Sequence, residues 1–195
     1  MFSLQTIFGS GQQFYTLLDE AAQAAHDSAK ALHTMMKATD RQPALDAFKL
    51  ARLRERAASD KIGKALVDSF ITPIEREDIE ALGSALYKIP KQVEKFADRY
   101  SLATRHLEHI DFAPRAAMLE QAAEVVVKMV KQLRHLKLEP MKALNDELRS
   151  IETASPRARA HRIFTCPEGE ARGIDLLLLS IGGNDIGFSK LVAWT

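Results

Sequence analysis

The chain has 195 residues, 46% of them hydrophobic, 27% charged and 7% aromatic, a balance that belongs to a folded globular domain and excludes a disordered or collagen-like chain. That length supports one sizeable core, or a medium domain with an appendage. Lys and Arg number 27 against 26 Asp and Glu, a formal net charge of +1, so no global field draws the chain to nucleic acid or to an anionic bilayer, and such a partner would need a local patch.

The N-terminal residues 1–8 carry no Lys or Arg ahead of their apolar side chains, unlike a signal peptide, and read as a short arm set off by Gly9 and Gly11 that packs on the first helix. Residues 12–37 are rich in Ala, Leu, Gln and Met without Gly or Pro and form the first predicted helix. His26 and His33 are expected on its polar face. After a break at 39–43, a second helix runs from about 44 to 70, with Leu45, Phe48, Leu53, Ile62, Leu66 and Phe70 available to an apolar face.

Thr72 then reads as an N-cap, with Pro73 at the first helical position and Glu75 three residues after the cap. The third helix is the most regular: Ile79, Leu82, Leu86, Ile89, Val93, Phe96 and Tyr100 follow alternating spacings of three and four, the seam of helices packed at a shallow angle. Pro90 removes a backbone donor inside it and is expected to kink the helix without ending it. Asp111-Phe-Ala-Pro114 opens a fourth helix striped by Met118, Val125, Met129 and Leu133, and a fifth starts near Glu139 with Met141, Leu144, Leu148 and Ile151 on one face. The methionines at 35, 36, 118, 129 and 141 read as core filler.

Beyond residue 152 the character changes. Residues 154–162 are basic and contain Pro156, and a short apolar run, 174–181, bounded by Gly173 and Gly182-Gly183, has the pattern of one buried strand. With Asp175 inside it, this run falls far short of the ~18 apolar residues of a spanning helix. The single cysteine, Cys166, cannot form an internal disulfide, which fits a reducing compartment.

The string Phe70-Ile-Thr-Pro-Ile-Glu-Arg-Glu-Asp-Ile79, followed one helix length later by Tyr87-Lys-Ile-Pro-Lys91, resembles the PhoU-like accessory family of Pit-type phosphate transporters, over roughly residues 1–152. The resemblance implies an all-α antiparallel helical bundle, here truncated. It also implies a non-enzymatic regulator of inorganic phosphate uptake in the cytoplasm or at the inner face of the membrane, with a Pit-type phosphate transporter as partner. Self-association is open and nucleic acid is not expected.

PhoU-like proteins also resemble one another in acid pairs that hold metal ions, and Glu94-Lys-Phe-Ala-Asp98 has that form. At ~100° per residue both acids fall about 110–150° from the heptad seam and project to solvent side by side, where they could share a divalent or ferric ion through oxygen ligands. Flanked by Lys91 and Lys95, they read first as a solvated charged face. Glu55 and Asp60, five apart, miss the pair spacing. His106 and His109 offer two imidazoles without a third ligand.

The last 25 residues, above all Gly182-Gly-Asn-Asp185, resemble the Gly-x-Asn-Asp block of SGNH (GDSL-like) esterases, in which the residue matching Asn184 donates to the oxyanion hole. An esterase also needs a Gly-Asp-Ser nucleophile block and a later histidine base; no Gly-Asp-Ser stands in the chain and no histidine follows Asp185. No catalysis is expected. The organisation is therefore a bundle over 1–152, a linker over 153–172 and a strand-loop fragment over 173–195, and a fusion, a frameshift or an assembly join near residue 153 would explain both halves.

Overall fold

The structure is a computed structural model and describes residues 4–38, 45–107, 110–135 and 137–154. Five helices follow in chain order: α1 (Leu4–Lys37), α2 (Leu45–Asp68), α3 (Arg76–Leu107), α4 (Ala113–Gln132) and α5 (Leu138–Ala154). Side-chain links between elements give their directions. Arg54 and Lys61 of α2 meet Asp27 and Glu20 of α1, Arg52 meets Glu94, and Arg134, just past α4, meets Gln12 and Thr16, so α1 to α4 run alternately up and down. This is the all-α antiparallel bundle expected, with no strand among the described residues. The expected linker after residue 154, its strand and the Gly-x-Asn-Asp loop lie outside them, as do the break at 39–43 and the His106 and His109 side chains.

Helix α1 is the centre, packing on α2, α3 and α4, while α5 packs on α4. Its buried row is Phe14 and Leu18 followed by Ala21, Ala22, Ala25 and Ala29, and small side chains let three neighbours approach one helix closely. It starts at Leu4 and not after Gly11, so the expected arm is the helix's own first turns. Two glycines weaken a helix by about 1 kcal/mol each without a proline to stop it, and Gly11 lies against the ring of Pro73.

All seven seam residues of α3 are buried and the helix continues through a buried Pro90. Its start differs from the expectation. The first turn begins at Arg76 and Glu75 holds the capping place, its carbonyl accepting from the Ile79 N–H at 3.1 Å. Thr72 and Pro73 lie in the preceding turn, because Arg76 reaches back and donates to the carbonyls of Leu66 and Ser69 at the end of α2, satisfying acceptors that a helix C-terminus leaves open.

Helix α2 corrects a second expectation. Phe48 and Ile62 are buried, but Leu53 is 65% exposed and Phe70 wholly so. The buried row runs through Phe48, Ala51, Glu55, Ala58, Ile62 and Ala65. Leu53, five residues from Phe48, is about 140° round the helix, and Phe70 lies beyond its last turn. The methionines behave as expected of core filler, with Met35 and Met129 buried and Met36 and Met141 packed against the core. Phe112 closes the α3–α4 end against Phe96 and Tyr100, ring centroids 5.7–5.9 Å apart.

Candidate functional site

Glu55 falls on the core face of α2 because its position continues the spacing of Ala51, Ala58 and Ile62, and its side chain is fully buried. Arg52, three residues earlier and so on the same side of the helix, answers it: Nη1 donates to Glu55 Oε2 at 3.1 Å. The same guanidinium crosses to α3, where Nη2 donates to the Tyr87 hydroxyl at 3.3 Å and Nε lies 3.3 Å from Glu94 Oε2. Its carbon sits 4.8 Å from the Tyr87 ring centroid, with Lys91 Nζ 5.4 Å from the same ring. One arginine thus joins two carboxylates and a phenol from two helices.

The electrostatics follow from burial. Taking Glu55 out of water pushes its carboxyl up to about 7, Arg52 pulls it down, Asp60 adds to the rise and Arg56 opposes it. Among the described residues Oε1 of Glu55 has no hydrogen-bond partner. The hydrogen bond and charge of Arg52 hold the Tyr87 hydroxyl below its usual value. Outside this hub an open groove of about 330 Å³ is lined by Lys49, Arg52, Leu53, Arg56 and Glu94. Its cationic rim and single apolar wall suit an acidic group carried beside an apolar one.

Of the two acids singled out for metal, Glu94 reaches this groove and Asp98 does not. Glu94 is half-buried and turned to Arg52 instead of projecting to solvent, while Asp98 is exposed one turn further on. Among the described residues no three His, Cys, Asp or Glu side chains converge. His26 and His33 are also less exposed than a polar face implies: His33 Nδ1 lies 2.5 Å from Glu120 Oε2 on α4, and His26 lies within 3.9 Å of Asp27. No sequence motif distinguishes Arg52 as a site residue, and Tyr87 stands out only as the first residue of the Tyr87–Lys91 segment. Glu55 does carry a signal, a carboxylate standing inside an otherwise apolar row at three-four spacing.

No protein-family model, no curated protein and no solved structure matches the chain. Among the described residues no helix is long and apolar enough to cross a membrane.

Proposed function

We propose that the chain is a non-enzymatic accessory protein of inorganic phosphate transport that regulates a Pit-type permease from the cytoplasmic side. The observation that supports this reading is where the two distinctive segments of the PhoU-like resemblance fall. Both build the α2–α3 hairpin: Arg76 ties α3 to the end of α2 and Ile79 starts the buried seam, while Tyr87 and Lys91 belong to the Arg52 hub and Ile89 and Pro90 are buried. The motif residues thus have joint structural work in one hairpin, which is what a family signature requires of them.

A hard cation at Glu94 and Asp98 belongs to the same reading. It has to compete with Arg52 for Glu94, so binding is weak, and a Glu94→Ala/Asp98→Ala variant that keeps an unchanged heat of ferric or divalent binding excludes the site. The test of the function is radiolabelled phosphate uptake through a Pit-type permease with and without co-expression of the chain. Uptake is expected to change, and Arg76→Ala, which loosens the hairpin, to reduce that change. Uptake indifferent to the chain removes the proposal.

A further inference from the structure

The α2–α3 hairpin is electrically polarised. Because the helices are antiparallel, the first half of α2 lies beside the second half of α3, and this end holds Lys49, Arg52, Arg54 and Arg56 with Lys88, Lys91, Lys95 and Arg99 against only Asp46, Glu55, Glu94 and Asp98. The opposite end, residues 66–80, reverses the sign. There Asp68, Glu75, Glu77, Asp78 and Glu80, all exposed, face a single cation, Arg76, that is committed to the backbone of α2.

Each end also exposes apolar surface. Leu53 lines the basic groove with Leu50 also exposed at that end, and Val67, Phe70 and Ile71 crown the acidic tip, with Phe70 fully in solvent. Val67 stands fourteen positions after Leu53 on α2, about 21 Å at helical rise. The hairpin therefore carries two patches, opposite in charge and alike in apolar character, a helix length apart.

Such a surface is complementary to itself when inverted. We propose that the chain pairs with a second copy through this hairpin, antiparallel about a two-fold axis near Asp60, so that the acidic tip of each copy seats on the basic groove of the other. That axis sets Leu53 level with Val67 of the second copy, with Phe70 and Ile71 just beyond the end of its α2, and the groove of about 330 Å³ has room for a large side chain. A two-fold contact uses every interaction twice, and this one closes instead of growing into a filament. An anionic lipid surface fits the pattern less well, since it would attract the basic end while the most exposed apolar side chains stand among acids. The pairing stands independently of the function proposed above.

Sedimentation equilibrium on the full chain tests it. At ~50 mM NaCl the mass is expected to rise with concentration towards twice the 21.7 kDa of one chain, with affinity falling at least ~10-fold at ~500 mM. Lys49→Glu/Arg56→Glu and Glu77→Lys/Asp78→Lys each place like charges together, and each is expected to weaken pairing at least ~10-fold. Mixing the two variants restores a dimer, because each acidic patch then meets a basic one, and so does combining all four changes in one chain. Phe70→Ser weakens pairing with no change of charge. All five side chains are exposed, so circular dichroism is expected to be unaltered; should a reversal disturb the fold, Lys49→Gln and Glu77→Gln report the same loss through a flatter salt series. A chain that stays monomeric at low salt overturns the proposal, as does a dimer indifferent to these changes or a failure of the mixture to rescue. Monomers that bind phosphatidylserine vesicles through Lys49 and Arg56 overturn it too and assign the basic end to lipid.

Discussion

Helices α2 and α3 lie against each other, yet they reach the core by different means. α3 buries a seam of large side chains, Ile79 to Tyr100, and its interior face is wholly apolar. α2 turns alanines, Phe48, Ile62 and a carboxylate inward and leaves Leu50, Leu53 and Val67 outside. A helix that buries a charge-bearing group and exposes two of its leucines departs from the pattern that maximises stability, and such departures gather where a protein does something besides fold. The comparison places the stabilising work on α3 and the specific polar chemistry on α2.

Four tests sharpen or break that contrast. The largest effect is expected from Arg52→Ala, which leaves Glu55 buried without its cation and releases Glu94 and Tyr87; the loss is about 3–5 kcal/mol in urea unfolding at pH 8 and smaller at pH 5, where Glu55 is protonated. A loss below ~1 kcal/mol at pH 8 would show that the hub is not structural. Next comes Leu86→Ala in the seam, expected to lower stability by about 3 kcal/mol, whereas Leu53→Ala on the outer face of α2 stays within ~0.5 kcal/mol. Equal losses at the two leucines would erase the distinction between the helices.

The third concerns pH. Burial raises the Glu55 carboxyl from 4.5 to about 7, so the folded chain holds this proton more tightly than the unfolded chain does. Its contribution is fully present below pH 4.5 and is lost as pH rises through 7, a decline of up to about 3 kcal/mol. In Glu55→Gln that decline is absent, so the difference between the variant and the natural chain varies across pH 4.5–7, and parallel stability curves would contradict the assignment. The smallest effect is expected at Gly63, exposed on α2, where a methyl group added to the backbone would meet nothing within 4 Å. Gly63→Ala should raise stability by about 0.5–1 kcal/mol, read as a higher unfolding midpoint with an unchanged slope.

Much of this can be read from the residues in order. The alternating three-four spacing of α3 fixes its buried face, since no other face of that helix offers a continuous apolar row, and Thr72-Pro73 and Asp111 stand in the turns that precede α3 and α4. Asp111-Phe-Ala-Pro114 also reads correctly as the opening of α4, which begins at Ala113 with its N–H donating to the Asp111 carboxylate at 3.0 Å. Glu94 is visible as a candidate through the acid-pair form that the PhoU-like resemblance implies.

The rest depends on what each helix meets. Half of the buried row of α2 is alanine, which sequence alone ranks below leucine, and only the crowding of α1 and α3 makes small residues the ones that fit inside. The start of α3 shifts from Thr72 to Arg76 because the open carbonyls of α2 compete for the arginine, a contact between elements that no local capping signal contains. The Arg52 hub is likewise a tertiary product. Residues 52 and 55 are far along the chain from 87 and 94, and the sequence by itself determines that each is polar and helical, while the antiparallel packing of two helices decides that they share one charge network.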